Sequence, residues 1–287
     1  MSLDLVPQMT VTGVVMGLIY ILSALGITLV FGVMRVVNFV HGELVMLAAF
    51  SMYYLVTEMK IPFVIALAIT AVLVSVAGLL VQRTLYRPLG YDLLKCLIIG
   101  AGASFALRSL GWIVFGPVPR DIPTLVPGVV RIAGAHVSNE RLVVVGLCIV
   151  LTAALYLFLY RTRPGKAMRA VEQDGEAAVL MGIDIERVYM MVFVVGSTLA
   201  AVAGALVGML FVAEPEMGAE PLLKSFIIIQ IGGMGSIAGA VIAGLAIGLT
   251  DSFTETMLGG ELAFIVDFAI LMALLVVRPR GLFGYDV

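Results

Sequence analysis

Eight apolar runs, near residues 11–33, 42–57, 62–82, 94–115, 141–160, 188–212, 222–250 and 262–277, occupy most of this chain. About 20 apolar residues cover the roughly 30 Å of hydrocarbon in a bilayer, and most of these runs approach that length. Lipid offers no partner to a backbone N–H or C=O, so each run must satisfy its own hydrogen bonds as a helix. Charged residues make up 13% of the chain, well below what covers a soluble surface. The reading is an all-α polytopic membrane protein with about eight passes, including broken or re-entrant helices, in a single domain over 1–287.

The net charge of −2 points neither to nucleic acid nor to an acidic ligand, so charge matters here by its location. Arg83, Arg87 and Lys95 share one connection, Arg161, Arg163, Lys166, Arg169 and Arg187 another, and Arg278 and Arg280 end the last run. The positive-inside rule makes these three regions cytoplasmic. The connections at Glu58–Pro62, Gly116–Arg141 and Glu214–Glu220 then face outward, although the middle one carries Arg120, Arg131 and Arg141. The N-terminal MSLDLVPQMT lacks the basic region of a secretory signal, and the first run is expected to remain as a membrane helix. Cys96 and Cys148 lie in or beside apolar runs without metal spacing and read as buried small residues.

Parity constrains the last third. The chain is outside near Glu216 and inside at Arg278, so 222–255 must cross an even number of times. Its apolar pieces are split by Gly232-Gly233-Met234-Gly235-Ser236, and a re-entrant pair of broken helices is predicted there. A similar interruption, Asn38-Phe39-Val40-His41-Gly42-Glu43, falls in the first half. Paired interruptions in two halves of a membrane protein point to a substrate path at mid-depth. Small residues recur every four positions at Gly13/Gly17, Gly196/Ala200/Gly204/Gly208 and Ser236/Ala240/Gly244/Gly248, which predicts closely packed helices.

Between Arg161 and Arg187, ten charged residues fall within 27 positions. The spacing predicts a helix from about Gly165 to Met181, with Pro164 at its start and Gly182 at its stop. Ala167, Ala170, Val171, Ala177, Ala178 and Met181 share one face; Arg169, Glu172, Gln173 and Glu176 point away. Such a face suits a groove on a partner, the plainer alternative being a helix lying on lipid headgroups. No G-x-x-x-x-G-K-[ST] sequence occurs, so any ATP chemistry is expected in other chains. Arg108 and Asp267 lie inside apolar runs and are expected to pair with each other, or else each to reach toward an interface. His41 and His136 are the only histidines and fall in different regions, so no metal site is expected.

Four motifs carry a resemblance over nearly the whole length: Asn38 to Glu43; Arg169-Ala170-x3-Asp174-x2-Ala177-Ala178-x3-Gly182-Ile183; Gly232 to Ala240; and Arg278-Pro279-Arg280-Gly281-Leu282. Together they resemble a permease of the bacterial high-affinity branched-chain amino-acid importers, the membrane component of an ATP-binding-cassette system. The resemblance implies a multi-pass inner-membrane chain that pairs with a second homologous permease. It also implies two cytoplasmic ATPase subunits that bind ATP and Mg, and an external substrate-binding protein. The loop 163–187 would be a coupling helix, with Arg169, Glu172, Asp174, Glu176, Ala177, Ala178 and Gly182 seated against an ATPase. For a zwitterionic amino acid, Asn38 and Glu43 would bind or orient the ammonium while His41 donates to the carboxylate or to the backbone. Gly232, Gly233, Gly235 and Ser236 would offer backbone N–H groups to an anion. The alternatives are helix capping by His41 and Glu43 and a tight packing turn at the glycines. Urea, amides and other amino acids are alternative substrates within the family, and a channel or ion-coupled secondary transporter is the alternative of another class.

Overall fold

The computed structural model describes residues 5–123, 126–132 and 134–283. Eleven helices appear among them: α1 (Val6–Met34), α2 (His41–Tyr53), α3 (Phe63–Val81), α4 (Leu93–Phe115), α5 (Asn139–Arg161), α6 (Arg163–Gln173), α7 (Gly175–Leu180), α8 (Ile185–Leu210), α9 (Ala219–Gly232), α10 (Ile237–Leu258) and α11 (Gly260–Val277). Seven of the described helices are long and apolar enough to cross a membrane, counting α3 with the π and 3-10 turns that extend it to Leu89. The expected eight passes thus resolve into seven spans plus two shorter helices, α2, which a π turn carries on to Glu58, and α9.

Local chemistry sets many of the boundaries. Asp92, Ser138, Asp184 and Ser236 each accept a backbone N–H three residues on and start α4, α5, α8 and α10. Arg35 adopts a left-handed φ of 55° and stops α1. Gly233, at φ 98°, ends α9, and Gly235, at φ 84°, turns the chain into α10.

The small-residue stripes are spent inside the chain. Gly13 and Gly17 of α1 lie against Gly248 and Gly244 of α10, where a Cβ on Gly17 would come 2.9 Å from the Gly244 carbonyl oxygen. On α8, Gly196 meets the backbone of Gly26, Gly204 that of Val45, and Gly208 packs on Ala49. With no hydrophobic incentive between helices in lipid, such backbone approach is the main attraction available. It places α1 and α8 at the centre of the bundle. By contrast, α3, α4, α5 and α11 present bare apolar residues such as Val64, Phe105, Ile149 and Val276, which lipid would cover.

The packing has an internal symmetry. In the first half a long helix (α1) is followed by an extended return, a short helix (α2) and two spans (α3, α4); in the second, α8 leads through residues 211–218 to α9, α10 and α11. As α1 packs on α10 and α9, α8 packs on α3 and α2. These are inverted repeats, the arrangement in which transporters build their midplane sites. Short strands tie the end bearing Glu214: β1 (Arg120–Asp121) pairs with β4 (Val212–Ala213), and β2 (Val129–Ile132) with β3 (Ala135–Ser138).

Two expectations change in detail. The 222–255 region is not a pair of re-entrant pieces, because α10 has 22 residues and forms a full span, and only α9, with 14, is short. The predicted Gly165–Met181 helix is two helices. Asp174 is extended, at φ −155° and ψ 103°, and its carboxylate caps α7 by accepting the Ala177 N–H at 3.0 Å.

Candidate functional site

The two short helices meet head to head. Tyr20 lies halfway along α1 and donates to Glu220, in the first turn of α9, at 3.2 Å. Gly42, in the first turn of α2, touches the backbone of Gly218 just before α9. Each extended return therefore brings the chain to mid-depth before a helix starts, and α2 and α9 leave toward opposite ends. Both helices direct their N-terminal N–H groups and positive dipole ends toward the middle of the bundle.

Both short helices carry buried charge. Glu43 of α2 is 3% exposed and accepts from Ser104 at 2.8 Å and from Arg108 at 2.9 Å, both on α4. Its second oxygen, and His41 Nε2, have no hydrogen-bond partner. Asn38 accepts from the Tyr86 hydroxyl at 3.1 Å and is buried. Asn38, His41 and Glu43 thus gather at the start of α2 deep in the bundle, and no side chain caps that helix.

The expected pairing of Arg108 with Asp267 does not occur. Arg108 pairs with Glu43, and Asp267 pairs with Lys224 of α9, which also holds Asp251 of α10 at 2.6 Å. Lys224, Asp251 and Asp267 are each 2% exposed or less. The sequence reading passed over Lys224 and Asp251; a lone lysine inside an apolar run was the available signal. By position in the repeats, the Lys224–Asp267 pair between α9 and α11 is the counterpart of the Glu43–Arg108 pair between α2 and α4.

Above the start of α9 a cleft of about 350 Å³ opens toward the end bearing Glu214, near the lower limit of small-ligand sites. Tyr20, Glu220 and Pro221 line it, with Arg141, Glu214 and Glu255. Arg141 donates to Thr12 at 3.0 Å, which fixes the guanidinium at the wall. An acidic cleft with one arginine offers complementary groups to a zwitterion. None of these residues was expected at a substrate site, because the cleft is assembled from α1, α5, α8, α9 and α10.

The glycine break lies elsewhere. With 14 residues at about 1.5 Å each, α9 puts Gly232 some 20 Å from Gly218. Gly232 is pressed against Gly239, and Ser236 caps α10 by accepting the Gly239 N–H at 3.1 Å. Gly233 and Gly235 turn the chain, and Leu282 and Phe283 donate to the carbonyls of Ile231 and Gly232. Gly232, Gly233, Gly235 and Ser236 therefore form a packed turn at the basic end, apart from Asn38, His41 and Glu43.

That same end carries α6 and α7. Thr162 caps α6, and Met168 and Val171 are buried against the bundle. Arg169 donates to the Leu159 carbonyl at 3.1 Å and stacks 4.3 Å from the Tyr160 ring. Glu172 is turned inward toward Gly32 and Gly235, and burial raises its pKa despite the nearby Arg169. Ala178 is buried, Gly182 turns at φ 81°, and Glu176 and Ala177 face outward. Leu180 is 87% and Met181 83% exposed. Arg169 and Glu172 are half-buried and Ala178 is buried, whereas Val179, Leu180 and Met181 are exposed.

Half-length helices paired at mid-depth inside inverted repeats define a class, a multi-pass membrane protein built as a permease bundle. A family model described as the branched-chain amino acid transport system permease component matches residues 9–275, and the chain belongs to that family. It is a multi-pass protein of the bacterial inner membrane. It is 32% identical to the high-affinity branched-chain amino acid transport system permease protein BraD of Pseudomonas aeruginosa, over 96% of this chain and 95% of that protein. The corresponding permease LivH of Escherichia coli K12 is 31% identical over the same shares. A probable branched-chain amino acid permease of Methanocaldococcus jannaschii is 26% identical over 99% of this chain and 94% of its own length. No solved structure matches the chain.

Proposed function

We propose that this chain is the transmembrane subunit of an ATP-binding-cassette importer that moves branched-chain or related neutral amino acids into the cytoplasm. Alternating access would be driven by ATPases on separate chains. The observation that carries this reading is at α7: a charged loop, anchored to the bundle by α6, leaves Val179, Leu180 and Met181 bare beside the exposed Glu176. An apolar tip rimmed by charge on the basic side suits a cleft on a soluble partner. A second homologous permease, two ATPases binding ATP and Mg, and an external binding protein would complete the assembly.

Substrate would enter through the cleft over α9, where Glu220 and Glu255 suit an ammonium and Arg141 a carboxylate. The family and the relatives' names favour branched-chain amino acids. Competition among leucine, alanine, glutamine and urea for uptake by reconstituted vesicles tests this: displacement by leucine at the lowest concentration is expected, and displacement by urea alone would overturn it. Leu180→Asp should release the ATPases and abolish uptake.

The buried Lys224–Asp251–Asp267 cluster favours a second reading, an ion-coupled transporter. Uptake driven by a pH or sodium gradient without ATPase subunits would support that reading instead.

A further inference from the structure

A carboxylate on a helix that lies outside the hydrocarbon has no evident reason to point into the bundle, yet Glu172 does. A Cβ on Gly32, in the last turns of α1, would come 2.9 Å from Glu172 Oε1, and one on Gly235, in the α9–α10 turn, 2.7 Å. The same Gly32 position would fall 3.1 Å from the Gly235 Cα, so α1 and the turn already touch at the point where the carboxylate wedges. Side chains at either glycine would displace Glu172, and Gly235 also needs its positive φ of 84°.

The helix carrying the wedge is firmly held on its other flank. Thr162 caps its start, Arg169 is bonded to Leu159, and a Cβ on Gly165 would collide with the Phe158 carbonyl and Leu159 backbone. Thus α6 has little freedom to slide over the end of α5. Displacement of α7 would instead rock α6, and Glu172 is the group by which α6 reaches both α1 and the α9–α10 turn. What it touches is mechanically central: α9 and α10 diverge from this turn, α9 runs to the mid-depth junction with α2, and α10 packs along α1.

We propose that Glu172 is the positioning residue that transmits ATPase docking on α6 and α7 to the α9–α10 turn, and so to the half-helix under the outer cleft. This rests on the proposed reading of α7 as the ATPase docking site. Its role is one of shape: the side chain fills a slot between two glycines, so an isosteric amide should serve and a methyl should not.

The test uses the complete transporter in proteoliposomes, with three readouts: co-purification of the ATPase subunits, ATP hydrolysis, and leucine uptake. Glu172→Ala should keep its ATPases and hydrolyse ATP but lose about tenfold or more in uptake, a loss within the usual range of coupling between sites. Glu172→Gln should transport near the level of the unaltered protein. Gly32→Ala should also lower uptake, and combining it with Glu172→Ala should recover part of the loss, since the added methyl then occupies the vacated slot. Undiminished uptake by Glu172→Ala, equal loss in Glu172→Gln, or loss accompanied by release of the ATPases would overturn the proposal. Should Glu172→Ala not insert, Glu172→Asp, which withdraws the carboxylate by one methylene, is read the same way. Leu180→Asp separates the two claims: ATPases that stay bound to it refute the docking reading itself, and transmission with it.

Discussion

Replacing Lys224 with methionine keeps the length of the side chain and deletes the one cation between Asp251 and Asp267. Both carboxylates are buried at 2% exposure or less, and each already has one oxygen without a partner. The ammonium is also held 4.4 Å from the Phe264 ring. Removing one member of a buried ionic group costs about 3–5 kcal/mol, because the cost is that of the uncompensated charge left behind. At about 2–4 °C per kcal/mol for a chain of this size, the unfolding midpoint in detergent should fall on the order of 10 °C. Cys96 and Cys148 are free and buried, so a thiol-reactive dye reports the transition directly. The triple variant Lys224→Met, Asp251→Asn, Asp267→Asn leaves no charge to strand and should regain most of the loss. If Lys224→Met unfolds at the temperature of the unaltered protein, or the triple variant is as unstable as the single, the cluster is not what holds α9, α10 and α11 together.

Arg108→Leu should destabilise less than Lys224→Met in the same assay, since Arg108 is 24% exposed at its side chain and Glu43 keeps its bond from Ser104. Gly204→Ala, whose methyl would collide with the Val45 carbonyl, should lower the yield of folded protein, whereas Gly102→Ala, which meets nothing within 4 Å, should leave it unchanged. Burial raises the Glu172 pKa above the ordinary 4.5, so the folded chain binds the proton more tightly than the unfolded one. The stability this group contributes is therefore complete below about 4.5 and is lost as pH rises through the raised value. Midpoints measured from pH 4 to 8 should lose that part of their slope in Glu172→Gln, and identical slopes in both proteins would refute it.

Much of the architecture was legible because lipid leaves few options. Runs such as 62–82 and 94–115 became α3 and α4 with boundaries nearly as read, and the glycine stripes packed as their spacing required. What escaped was set by contacts distant in sequence. Lys224 reaches residues 27 and 43 positions away, so nothing local marked its partners. Arg108 and Asp267 each find a nearer partner, Glu43 and Lys224, which local sequence gives no means to match to them. The split between α6 and α7 had a local signal, Asp174-Gly175 followed by Ala177, which is a cap at the head of a new helix. The mid-depth start of α9 had none, since residues 211–218 look like any outer connection until Gly218 is seen against Gly42.

An ATP-driven permease and an ion-coupled transporter differ most directly in what powers transport. In proteoliposomes holding this chain with the proposed second permease, ATPase subunits and binding protein, leucine uptake should require internal ATP and should vanish with Leu180→Asp, whose side chain lies at the bare tip of α7. Uptake that proceeds without ATP, or that survives Leu180→Asp at full rate, would contradict it.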